Sequence, residues 1–121
     1  MDMLKVKSYK DLIIWQRSMD LVEIIYRITE DFPSNESFGI LSQMRRAAIS
    51  IPSNIAEGYG RQSTGSYSQF LSIARGSLFE LETQIEICIR LKYLQKIESE
   101  KLLAELVEIS KMISSLISKL H

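Results

Sequence analysis

Two stretches of this chain repeat apolar residues at alternating intervals of four and three: Tyr67, Leu71, Ala74, Leu78, Leu81, Ile85 and Cys88, then Leu102, Leu106, Ile109, Ile113, Leu116 and Leu120. That interval returns side chains to one side of an α-helix lying lengthwise against other helices. A strand would place every second residue on its buried face, and no such alternation occurs here. The pattern therefore demands a helical bundle.

Two further segments complete it. Ser8 and Asp11 have the spacing of a capping box, in which a hydroxyl and a carboxylate satisfy the free amides of a first helical turn. Leu12, Trp15, Met19, Val22 and Tyr26 then recur at three and four, a second row of Ile14, Leu21, Ile25 and Ile28 widens the apolar face, and Gln16, Asp20, Glu23, Arg27 and Glu30 form a polar stripe. Phe32-Pro33-Ser34-Asn35 should stop this helix, and Ser34 or Asn35 should cap the next. Its apolar row is Leu41, Met44, Ala48, Ile51 and Ile55. Pro52 lies within it and costs about 3 kcal/mol in a helix interior, so the helix should kink or be locally repaired near Ser50. Gly58 and Gly60 suit its end, where left-handed geometry favours glycine. The third helix should start after Ser63 or Thr64. Gly76 falls inside it, opposite Ser50 if helices two and three form a hairpin, and close helix approach is its expected reason. The expected helices cover about 9–31, 36–60, 65–93 and 98–120. Short connections make neighbours antiparallel, giving an all-α, up-down-up-down four-helix bundle with its second helix kinked near Pro52. At 121 residues, 1–121 should form one domain with a sizeable core.

Composition narrows the function. Fifteen basic residues balance fifteen acidic ones, which argues against coating nucleic acid by bulk charge. The opening Met-Asp-Met-Leu-Lys-Val-Lys has no apolar leader, and no run approaches the roughly 18 apolar residues of a membrane span, so a cytoplasmic protein without membrane contact is expected. One cysteine, Cys88, excludes an internal disulfide, and it falls on a core row. One histidine, His121, leaves no partner set for a metal or a nucleophile. Glu80, Glu82 and Glu86 without histidines are expected to be solvated or ion-paired rather than metal ligands. Glu57-Gly-Tyr-Gly-Arg61 follows a helix and lacks the lysine of a phosphate loop. No enzyme signature, cofactor site or metal site is expected.

Between Ser37 and Phe79 the charged residues are Arg45, Arg46, Arg61, Arg75 and one acid, Glu57. Hairpin register sets Arg46 level with Glu80 and Arg45 near Glu82, so these four are expected to pair within the bundle. It sets Arg75 beside Ile51 and leaves Arg61 in the turn, making those two the better contacts for an external anion. Arginine suits phosphate because its planar fork donates two hydrogen bonds at once. Apolar residues in excess of one stripe, on helix one and at Phe70, Ile73 and Ile87, point to a partner surface.

The run Leu41-Ser-Gln-Met-Arg-Arg-Ala-Ala-Ile-Ser-Ile-Pro-Ser-Asn-Ile-Ala-Glu-Gly-Tyr-Gly-Arg61, with Phe70-Leu-Ser-Ile-Ala-Arg-Gly-Ser-Leu-Phe-Glu-Leu-Glu-Thr-Gln84, resembles the bacterial four-helix proteins encoded in intervening sequences of 23S ribosomal RNA genes. Tyr9–Trp15 and Leu91–Leu94 resemble the same family, so the likeness spans about residues 8–120. It maps the family motif onto Arg45, Arg46, Pro52, Asn54, Glu57, Gly58, Arg61, Arg75, Gly76, Glu80 and Glu82. It implies a homopentameric ring, because the family is similar in fold to accessory proteins of diversity-generating retroelements, which bind nucleic acid and a reverse transcriptase. From residues and resemblance together, the expected function is a non-enzymatic homo-oligomeric binding module contacting RNA, or partnering a nucleic-acid-processing protein. The alternative is a protein-interaction or scaffolding bundle without nucleic-acid contact.

Overall fold

The computed structural model describes residues 6–121; Met1–Lys5, part of the opening read above for a leader, lie outside the described residues. Four α-helices account for most of the chain: α1 Ile13–Ile28, α2 Ile40–Tyr59, α3 Thr64–Arg90 and α4 Lys96–Lys119. The core is made of the rows legible in the sequence. Leu21 and Ile25 of α1, Met44, Ile51 and Ile55 of α2, Leu71, Leu78, Leu81 and Ile85 of α3, and Leu106, Ile109 and Ile113 of α4 are all fully buried.

Helix ends depart from expectation for local reasons. The Ser8 capping box is present, with the Ser8 hydroxyl accepting from Lys10 N at 3.1 Å and Asp11 Oδ2 accepting from Ser8 N at 3.3 Å. It organises a separate 3₁₀ turn, Tyr9–Asp11, because Leu12 has extended backbone (ψ 129°) and α1 begins only at Ile13. Ser34 and Asn35 likewise do not cap α2. They belong to a 3₁₀ turn, Ser34–Glu36, and α2 starts at Ile40, after Gly39 turns the chain. Ser63 does cap α3, its hydroxyl accepting from Ser66 N at 3.1 Å.

Contacts between α2 and α3 step in opposite directions: Met44 meets Cys88, Ser50 meets Ser77, and Gly58 meets Tyr67 and Phe70. This is the most extensive helix pair, and α1–α4 is a sparse one. Small residues allow the close approach: Ala47, Ala48, Ala74 and Ser77 are buried between them. α2 runs unbroken through Pro52. Close to it, the Asn54 side-chain amide donates to the Ser50 carbonyl at 2.8 Å and to its hydroxyl at 2.9 Å, and the Ser77 hydroxyl donates to the same hydroxyl oxygen at 2.9 Å; the carbonyl that Pro52 deprives of a helical amide is that of Ala48, four residues back.

Both motif glycines depart from expectation. No glycine among the described residues has positive φ, so Gly58 is not a left-handed terminus. A Cβ there would stand 2.8 Å from Phe70 Cβ and 3.2 Å from the Tyr67 carbonyl oxygen, so Gly58 is the point of closest helix approach. A Cβ on Gly76 would meet nothing within 4 Å. Ser77, one residue further, is what faces Ser50, because the true register lies slightly off the hairpin arithmetic.

Candidate interaction site

Each motif arginine is positioned by a different neighbour. Arg45 reaches back to α1: its Nε donates to Thr29 Oγ1 at 2.9 Å, Nη2 donates to the Tyr26 carbonyl at 3.2 Å, and the guanidinium lies 4.3 Å from the Tyr26 ring centroid. It thus satisfies a carbonyl in the last turn of α1 and sets a positive charge at the negative end of that helix. The pairing expected with Glu82 does not form, because Arg45 turns toward α1 rather than α3. Arg75 is half-buried and turns toward α4, donating to Ser114 Oγ at 3.0 Å. Arg61 is exposed, pairs with Glu57 one turn back at 2.7 Å, and covers the Phe70 ring at 4.7 Å. Arg46 is exposed too. Its expected pair with Glu80 is absent among the described ion pairs, and Glu80 instead accepts from Gln84 Nε2 at 3.4 Å. The four arginines therefore occupy the α1–α2 seam, the α3–α4 seam, the exposed surface of α2 and the turn between α2 and α3, and do not form one patch.

Arg17, which the sequence did not single out, makes the better-defined ion pair. Its Nε and Nη2 grip the two Glu105 oxygens at 2.9 and 2.6 Å, a fork that pins the sparse α1–α4 seam. Its only sequence signal was a basic residue between two apolar rows.

The largest departure concerns α1. Ile14, Leu21 and Ile25, read as the row that widens the face, are the buried ones, whereas Met19 and Tyr26 of the first row remain 39% and 38% exposed. Trp15, Met19 and Val22 of the first row line a groove between α1 and α2 of about 340 Å³, walled also by Tyr9, Ile49, Pro52, Ser53 and Ala56. Local structure closes one end: the 3₁₀ turn brings the Tyr9 ring to 5.3 Å from Trp15, edge on. The lining has no charged side chain.

The sequence profile of the 23S rRNA-intervening sequence proteins matches residues 10–115. The chain belongs to that family. A solved structure that it resembles is the crystal structure of a protein of unknown function from the S23 ribosomal protein family of Bacteroides thetaiotaomicron VPI-5482, with 26% identity and a TM-score of 0.78, covering 87% of this chain and 98% of that one. No curated protein matches the sequence. In this 23S rRNA-intervening sequence protein no described helix is long and apolar enough to cross a membrane.

Cys88 is fully buried against Met44, and burial first, the Glu36 charge second, push its thiol up to about 11. The thiolate is the nucleophile, so iodoacetamide at pH 8 should leave Cys88 unmodified in the native protein and label it within minutes in urea; rapid native labelling would show an open core. The raised value also has a consequence for stability. Between about pH 9 and 11 the unfolded thiol ionises while the folded one does not, so this group's contribution falls as pH rises through that window.

Proposed function

We propose that this 23S rRNA-intervening sequence protein is a non-enzymatic, self-assembling interaction module whose copies join through the apolar groove between α1 and α2. One observation carries the reading: Met19 and Ile49, 39% and 43% exposed, line an uncharged groove together with the half-buried Trp15 and Val22 and the buried Pro52. Such surfaces on a folded domain mark interaction sites rather than solvated faces. The homopentamer implied by the family resemblance is one assembly it can build. Light scattering on the purified full chain is the test. The expected mass is a multiple of 13.9 kDa, and Met19→Glu with Ile49→Glu should reduce it to one copy without loss of helicity. A wild-type protein that stays single at tens of micromolar would overturn the reading.

A second reading, contact with RNA, retains support from the exposed Arg46 on α2 and the exposed Arg61 in the turn that follows it. Arg45 and Arg75 are occupied within the bundle. On this reading Arg46→Ala and Arg61→Ala together reduce both the affinity for single-stranded RNA and the slope of log affinity against log salt, by up to about 2. An affinity indifferent to salt would dismiss it.

A further inference from the structure

We infer that Phe38 of one copy seats in the α1–α2 groove of the next, so that copies join head to tail. The inference rests on the assembly reading above and adds the pair of surfaces that meet. Phe38 is 98% exposed, the most exposed of the large hydrophobic side chains among the described residues, so the bundle that carries it makes no use of its ring. It is nevertheless held on a braced loop. Two residues earlier, Glu36 accepts from the Tyr93 hydroxyl at 2.7 Å, and the Phe32 ring lies 5.3 Å from Tyr93, which ties this loop to the one between α3 and α4. The bond to the Glu36 carboxylate, more than burial, also holds the Tyr93 hydroxyl above its ordinary range. A loop backbone already braced in this way loses less freedom on docking than an unbraced one.

The groove offers the complementary half. Its lining is apolar and aromatic and it has room for one phenyl ring. Phe38 cannot fill the groove of its own copy: it stands before the start of α2, whereas Ile49 lies roughly 14 Å further along that helix. Charge favours the same contact. From Thr29 to Gly39 the chain carries Glu30, Asp31 and Glu36 and no base; from Ile40 to Ala56 it carries Arg45 and Arg46 and no acid. Those arginines precede the groove residue Ile49 by four and three positions, one helical turn, and so stand on its shoulder. An incoming Phe38 loop therefore brings the exposed Glu30 and Asp31 toward the exposed Arg46 as its ring enters an apolar recess, Arg45 being held by Thr29 and Tyr26 and Glu36 by Tyr93. Knob and recess lie on different surfaces, so each copy gives one contact and receives one, an arrangement that closes into a ring or extends as a chain.

The test uses the full-length protein, light scattering and a mixing experiment. Phe38→Asp, at a side chain outside the core, should keep wild-type helicity and melting temperature while weakening the copy-to-copy contact on the order of 10- to 100-fold. Phe38→Ala should do the same more mildly. The Met19→Glu, Ile49→Glu variant lacks the recess but keeps the knob. Neither variant assembles alone, yet an equimolar mixture restores one intact contact and should give a two-copy complex that grows no further. A wild-type assembly whose mass is unchanged by Phe38→Asp overturns this inference and leaves the assembly reading standing. A mixture that stays at one copy overturns it as well, and a single-copy wild type removes both.

Discussion

Gly58→Leu should cost the fold about 3 kcal/mol, a large part of the 5–15 kcal/mol by which domains are ordinarily stable. A Cβ at this position already stands 2.8 Å from Phe70 Cβ and 3.2 Å from the Tyr67 carbonyl oxygen. The carbonyl belongs to helical backbone and cannot rotate away, so the remaining side chain can be accommodated only by separating α2 from α3. That separation would loosen the most extensive helix pair and strip cover from Ile55 and Leu71, both fully buried. Urea unfolding followed by circular dichroism measures it, and a midpoint equal to wild type would mean that α3 yields without penalty. Gly76→Ala supplies the contrast. Nothing surrounds that position, so removing backbone freedom from the unfolded chain should stabilise the protein by about 0.5–1 kcal/mol. Two glycines within helices thus carry opposite signs, and the difference is one of neighbours.

Leu81→Ala is expected to lower unfolding free energy by about 2–5 kcal/mol. Leu81 is fully buried at the centre of α3, and its removal leaves a hole bounded by other helices that cannot all move inward. Leu91→Ala is the matched control. That leucine caps α3 and is 51% exposed, so its truncation should change stability by less than about 0.5 kcal/mol. Equal losses from the two substitutions would mean that the core is not organised around the α3 row.

The core rows could be read from the sequence because helical periodicity is a local property. Leu71, Leu78, Leu81 and Ile85 must share a side of any helix that contains them, whatever packs there. Helix ends were less legible. The Ser8 capping box was correctly seen but belongs to a short 3₁₀ turn, since spacing alone does not register that Leu12 leaves helical geometry. On α1 the two apolar rows were both visible, yet which would be buried depends on where α2 and α4 lie, and the less obvious row took the core. The contacts of Arg45 with α1 and of Arg75 with Ser114 are not legible for a related reason. A register sets the level of a residue along a neighbouring helix, but not which of two flanking helices its side chain turns toward. Phe38 passed without comment because it belongs to no periodic row. A large apolar residue beside glycine in a polar loop was its one available signal.

The amino-acid sequence by itself determined that four helices form and which residues of α2, α3 and α4 make the core, because those outcomes follow from the pitch of the helix and the exclusion of apolar side chains from water. It also carried the motif that assigns the family over residues 10–115. Tertiary structure alone decided that Gly58 rather than Gly76 marks the close approach, that the arginines divide among separate seams, and that a recess opens between α1 and α2. These depend on how far each helix is rotated about its own axis against its neighbours. That angle is set by the packing of all four helices at once.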